Sequence, residues 1–204
     1  MPRFTHLLMI DTEFTSLTAG PHCYVREVAG VLIPMPTGAN PRLREGQTYS
    51  DSWPVPAKNW DKDTLKWAKE TYRERDFLNM TAPASIHRMK AGLDAFFDQI
   101  NRWVNTLGPR NVIVMFNHPE SDIPKLLQHT KSQIPWHYRN VQDLQSVVWG
   151  LCNYDEKMFD YIYKLAKESY GAVRHTALAD CYSQIHILNT ALIVAASGYD
   201  STKS

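Results

Sequence analysis

Four consecutive apolar positions, Leu7 to Ile10, run directly into Asp11-Thr12-Glu13. An apolar run of that length ending at a carboxylate predicts a buried central strand with a polar tip. Glu27–Ile33 predicts a second strand, after which Pro34, Pro36, Gly38 and Pro41 punctuate a loop. Gln47–Val55 reads as a third, so the first three strands form an antiparallel meander. The period then changes. Asp61 is placed to cap a helix through Leu65, Trp67 and Ala68 to about Arg73. Ile86, Met89, Leu93, Phe96, Phe97, Ile100 and Val104 recur at helical spacing, and Gly108-Pro109 ends that helix. Asn111–Phe116 is a near-continuous β-branched run and predicts a buried strand. Further helices are predicted over Ser121–His129, starting beside Asp122, over Asp143–Leu151 and over Glu156–Glu168. A last helix carries Leu178, Cys181, Tyr182, Ile185, Leu188 and Leu192 on one face, and residues 199–204 read as a frayed tail.

Three early strands followed by alternating helices and strands predict an α/β class, a mixed sheet with helices packed on it. With 204 residues and no repeat or linker, a single domain over 1–204 is the simplest account. The 22 Lys and Arg against 21 Asp and Glu leave a net charge of +1, which excludes a protein that coats nucleic acid by charge alone. Cys23, Cys152 and Cys181 are widely spaced, with no CxxC pair, so neither a zinc ribbon nor a disulfide scaffold is indicated. Their odd number fits a reducing compartment. Leu7–Ile10 is too short for a signal sequence. The most apolar run, Ala191–Ala196, falls far short of the roughly 18 residues of a membrane span. The expectation is a soluble cytoplasmic protein.

The chemistry gathers at three places. Residues i and i+2 of a strand share a face, so Asp11 and Glu13 can aim two carboxylates at one point. DxE alone also describes a solvated strand end. Asn117 and Asp122 follow the Asn111–Phe116 strand at a strand-to-helix junction, where sites on parallel sheets sit. Ser121 or Asp122 could equally cap that helix. In His175-Thr-Ala-Leu-Ala-Asp180 the five-residue separation is a net turn of about 140° on an ideal helix. His175 therefore belongs in the preceding loop, which Gly171 supports, and Asp180 on the helix itself. If Asp11, Glu13, Asp122 and Asp180 meet, two bare carboxylates about 4 Å apart repel by about 4 kcal/mol at an effective dielectric of about 20. Such a cluster needs cations. Hard oxygen donors select Mg²⁺ or Mn²⁺, and two divalent ions balance four negative charges, as in two-metal phosphoryl transfer. A neutral His175 near the attacking water can take its proton.

Asp11-Thr12-Glu13-Phe14, then Asn117-x-x-x-x-Asp122, then His175-x-x-x-x-Asp180 resemble, in order and over most of the chain, the three motifs of DEDDh 3′–5′ exonucleases. These are DnaQ-like enzymes on an RNase H-like fold. Asp63–Trp67 (DTLKW), Phe116–Asp122 (FNHPESD) and Ile134–Leu144 (IPWHYRNVQDL) further resemble the phage DexA exonuclease and the related exoribonuclease-like branch. The resemblance implies a mixed sheet of three antiparallel strands plus parallel strands, flanked by helices. It implies Asp11, Glu13, Asp122 and Asp180 as ligands of two Mg²⁺ or Mn²⁺ ions and His175 as general base. The implied reaction is 3′–5′ hydrolysis of single-stranded DNA or RNA ends to nucleoside monophosphates, with the DexA-like features leaning to DNA.

The same resemblance puts Phe14, Thr15, Leu17 and Asn117 against the terminal nucleotide, although Phe14 could equally be core. Asp143 is a second candidate for the fourth acidic ligand, although a helix cap suits it better. Of the six tryptophans, at 53, 60, 67, 103, 136 and 149, most are expected in the core and one against substrate. Two positions depart from the pattern. The segment before Asp122 holds His118-Pro119 and Ser121 rather than a glycine-rich aromatic stretch, and Gln145 stands where relatives tend to carry Arg. The competing reading is an end-binding module of the same fold without turnover. The complete acidic set and His175 argue against it.

Overall fold

Strand β1 (His6–Phe14) sits at the centre of a five-stranded sheet because both of its faces are apolar. It pairs antiparallel with β2 (Val25–Pro34), which in turn pairs antiparallel with β3 (Gln47–Ser52). On its other side β1 runs parallel to β4 (Val112–Phe116), and β4 parallel to β5 (Val141–Asp143). The strand order is thus β3-β2-β1-β4-β5. The computed structural model describes residues 4–18, 20, 23–36, 46–130, 132–170 and 175–198. Its helices are α1 (Lys62–Thr71), α2 (Glu74–Met80), α3 (Ile86–Leu107), α4 (Pro119–Leu127), α5 (Leu144–Leu151), α6 (Glu156–Tyr170) and α7 (Ala177–Ala196).

Alternation along β1 and β2 divides the core into two layers. Leu8, Ile10, Val28 and Leu32 pack with Leu93, Phe96, Phe97 and Ile100 of α3. Leu7, Met9, Ala29, Val31 and Ile33 pack with Val148 of α5, Ile162 of α6 and Cys181 and Leu188 of α7. Helix α3 lies close to β2 because Gly30 has no side chain; a Cβ there would stand 3.0 Å from Ile100 Cδ1. That helix ends at Gly108, whose φ of 85° lies in the region that favours glycine. Asp11 and Glu13 continue the face of Leu7 and Met9, so the alternation that builds the second layer turns both carboxylates toward α7.

The elements differ from expectation in five places. Helix α2 and the short strand β5 are additional. Helix α4 starts at Pro119, so Asp122 lies in its first turn and neither Ser121 nor Asp122 is its cap; that position belongs to His118, at φ 76°. Asp143 does cap α5, accepting from the Ser146 amide at 2.8 Å and the Ser146 hydroxyl at 2.7 Å. Strand β3 stops at Ser52, because Trp53 turns inward to become buried core and its indole donates to the Val25 carbonyl. On α7 the buried positions are Ala177, Cys181, Gln184, Leu188, Thr190, Ala191 and Val194, while Tyr182 is exposed. Small residues let α7 lie close to the sheet, and its Cys181 thiol approaches the Met9 and Ala29 carbonyls at 3.8 and 3.7 Å. All three cysteines are buried and unpaired. No described helix is long and apolar enough to cross a membrane. Gly38, Pro41, Gly171 and the tail at 199–204 lie outside the described residues.

Candidate active site

The end of β1, the first turn of α4 and the first turn of α7 converge on one cavity of about 350 Å³. Carboxylate oxygens of Asp11, Glu13 and Asp180 lie within 4.8 Å of one another. Asp122 stands outside that tight set but lines the same cavity, as do Asn117 and Gln184. Burial and the charges of neighbouring carboxylates push protons onto Asp11, Asp122 and Asp180. Asp11 is raised well above the ordinary range, by burial first and then by the charges of Glu13 and Asp180. Burial raises Asp122 to about 7, against the pull of Lys125. Asp180 is also raised to about 7, by burial and then by Glu13. The Gln184 amide donates to Asp11 Oδ1 at 2.6 Å and partly offsets the repulsion there.

Among the described residues, three buried side-chain oxygens have no hydrogen-bond partner: Thr12 Oγ1, Asn117 Oδ1 and Gln184 Oε1. All three residues line this cavity. Buried polar atoms are normally satisfied, so their concentration here marks a place built for polar guests. Clustered carboxylates with neutral oxygens beside them form an all-oxygen donor set, which fits Mg²⁺ or Mn²⁺.

A buried network stands behind the cavity. Glu13 and Glu27 face each other directly across β1 and β2, an arrangement that repels. The register then slips, pairing Phe14 with Val25, so Arg26 is the extra residue of a β-bulge. Its guanidinium reaches Glu13 Oε2 at 3.4 Å and Glu27 Oε2 at 3.3 Å, with the arginine almost wholly buried. It also donates to the Tyr72 hydroxyl at 3.3 Å. Tyr72 in turn donates to the His175 carbonyl at 2.6 Å, and Glu27 accepts from the Ala177 amide at 2.9 Å.

His175 occupies the exposed bend before α7, as the spacing of HTALAD predicts. Its ring lies edge-on to Trp67, centroids 5.5 Å apart. It lines a neighbouring cavity of about 780 Å³ with Arg26 and Tyr72, and not the cavity of the carboxylates.

A third pocket, of about 620 Å³, opens beside the carboxylates and is walled by Phe14, Leu17, Trp67, Asn117, Asp122 and Lys125. Leu17 is 82 % exposed at its rim. The Lys125 ammonium sits 4.5 Å above the Phe14 ring. Thr15 departs from the expectation of a substrate contact. It is fully buried and its hydroxyl accepts from the Tyr24 amide at 3.0 Å, so it holds the loop in shape. Trp53, Trp60, Trp103 and Trp136 are core, Trp149 stacks on Phe159, and Trp67 alone faces this pocket.

Arg26, Glu27, Tyr72 and Gln184 escaped the reading of the sequence. The Arg26-Glu27 pair was the visible signal, since two charges in an otherwise apolar strand have to neutralise each other when buried.

Residues 6–192 match the 3′–5′ exoribonuclease Rv2179c-like domain family. The chain belongs to that family. No curated protein sequence matches it. Among solved structures it is similar to cell-death related nuclease 4 (CRN-4), with a TM-score of 0.57 and 19 % identity over 91 % of this chain and 63 % of that one. The chain thus spans less than two thirds of that nuclease. It is also similar to the RNase domain of the yeast Pop2 protein, with a TM-score of 0.50 and 11 % identity over 94 % of this chain and 77 % of that one. The five-stranded mixed sheet with helices on both faces is the RNase H-like fold of DEDD-type exonucleases.

Proposed function

We propose that this member of the Rv2179c-like family is a 3′–5′ exonuclease of the histidine (DEDDh) subgroup, trimming single-stranded ends to nucleoside monophosphates. The convergence of Asp11, Glu13 and Asp180 within 4.8 Å, in one cavity with Asp122, carries this reading. Those four carboxylates would hold two Mg²⁺ or Mn²⁺ ions, which when bound supply Lewis-acid stabilisation of phosphodiester charge and lower the pKa of water. Gln184 orients Asp11. The pocket beside the carboxylates takes the terminal nucleotide. There Phe14, Leu17 and Trp67 offer apolar and aromatic surface to a base, which is tolerant of sequence. Asn117 borders both cavities, and its unpartnered carbonyl oxygen can accept from a sugar hydroxyl. His175 accepts the proton of the attacking water, its ring turning in from the bend before α7.

The segments that resemble DexA lean to DNA, whereas the family description names RNA. We take RNA as the main substrate. The test is one digestion series with 5′-labelled single-stranded RNA, the same DNA sequence and duplexes of each, in Mg²⁺, Mn²⁺ or EDTA. The expected result is a ladder shortening from the 3′ end, fastest on single-stranded RNA and absent in EDTA. Immediate release of the labelled 5′ nucleotide would reverse the polarity. Tight binding of 3′ ends without turnover would make the chain an end-binding module.

A further inference from the structure

We infer that Tyr72, itself held by the bulged Arg26, is a positioning residue that fixes the His175 backbone for proton abstraction; the inference rests on the function proposed above. Chain topology creates the need for such a residue. His175 is carried by a bend, and its ring is exposed, so nothing in its own helix sets where the imidazole stands. A base misplaced by about 1 Å loses much of its advantage. The structure supplies anchors on both sides of that bend. Tyr72 holds the carbonyl of residue 175 at 2.6 Å, and Glu27 holds the amide of residue 177 at 2.9 Å.

Both anchors return to one guanidinium. Arg26 donates to the Tyr72 hydroxyl and bridges Glu27 to Glu13, so the backbone beside His175 and one acidic ligand share a single buried post. The β-bulge is what makes this geometry available. In regular pairing Arg26 would oppose a residue of β1, whereas here the register skips it. The Tyr72 ring is braced as well, edge-on to Trp67 with centroids 5.8 Å apart and with the Arg26 guanidinium 5.5 Å over its face. Burial raises the phenol pKa, so the hydroxyl remains a donor throughout the working range.

Tyr72→Phe deletes the donor and keeps the ring. With 5′-labelled single-stranded RNA and Mg²⁺, kcat should fall about tenfold, the worth of one well-placed hydrogen bond, while KM stays within about twofold. The decisive arm is the cycle with His175→Ala. A residue acting only through His175 has nothing left to position, so Tyr72→Phe should change turnover by less than about twofold in that background. Amide hydrogen exchange, read without substrate, should show faster exchange at Ala177 in Tyr72→Phe and unchanged exchange in the sheet. Should Tyr72→Phe fail to fold, Tyr72→His enters the same cycle, since it keeps a polar ring beside Arg26 but is too short to reach the residue-175 carbonyl as the phenol does.

Wild-type kcat in Tyr72→Phe, beside a disabled His175→Ala, overturns the inference and leaves the proposed function standing. So does an equal loss in both backgrounds. Near-wild-type turnover in His175→Ala itself removes the histidine from the reaction and takes both claims down together.

Discussion

Asp122 and Asp180, each pushed up to about 7, bind a proton more tightly in the fold than in the unfolded chain, where a carboxyl titrates near about 4. The stabilisation from that proton is complete below about pH 4 and is lost as the pH rises through 7. Metal-free protein should therefore melt at a higher temperature at pH 5 than at pH 8, and millimolar Mn²⁺ should cancel that slope. A thermal shift series in EDTA and Mn²⁺ reads both. Asp11→Asn relieves the same repulsion, and an amide at 11 can still meet the Gln184 side chain. In EDTA at pH 8 it should raise Tm by a few degrees, and in Mg²⁺ it should abolish hydrolysis. A lower Tm would show that the Asp11–Gln184 hydrogen bond outweighs the crowding. The carboxylates were legible in the sequence because each stands where a pattern breaks, at the end of an apolar run or the start of a helix. Gln184 and Tyr72 were not, since the hydrogen bonds that define their roles span 173 and 103 residues. Thr15 was misread for the same reason. Whether a hydroxyl turns to the cleft or to the Tyr24 amide is decided by how the loop folds back.

Long periodic elements announce themselves, and short ones do not. Helix α3 was plain from seven apolar positions at helical spacing, all but Ile86 of them buried. The three residues of β5 carry no period at all; they are a strand because they pair with Val114–Phe116 of β4. Helix α7 shows how periodicity misplaces a face. Its apolar surplus allowed a stripe through Tyr182, but the face against the sheet is set by Ala177, Cys181 and Gln184, which are small or serve Asp11. Packing also reverses a propensity rule within α3. Alanine at an interior helix glycine normally stabilises by about 1 kcal/mol. At Gly92, however, a Cβ would stand 2.7 Å from the Trp53 ring, which is buried and tied to the Val25 carbonyl. Gly92→Ala should lower stability by about 1–3 kcal/mol in urea unfolding, through overpacking, with kcat unaltered.

On the scale of the whole molecule, a net charge of +1 leaves little long-range attraction for a polyanion. On the proposed function the grip on substrate is local: the pocket lined by Phe14, Leu17 and Trp67 and the carboxylate cavity beside it. That cavity draws on both ends of the fold. Asp11 and Glu13 stand on the first strand, while Asp180 and Gln184 stand on the last helix, which packs on β1 and β2. A chain cut after Tyr170 loses α7 and uncovers Met9, Ala29 and Val31. It should show neither a cooperative melting transition by circular dichroism nor hydrolysis of labelled RNA. The order of synthesis then acquires a meaning. A ribosome delivers β1 before α7, so the half-made polypeptide has its acidic strand but not the complete carboxylate cavity. Under the proposed function, a polypeptide assembled in this order cannot act on the transcript that encodes it until α7 has been made.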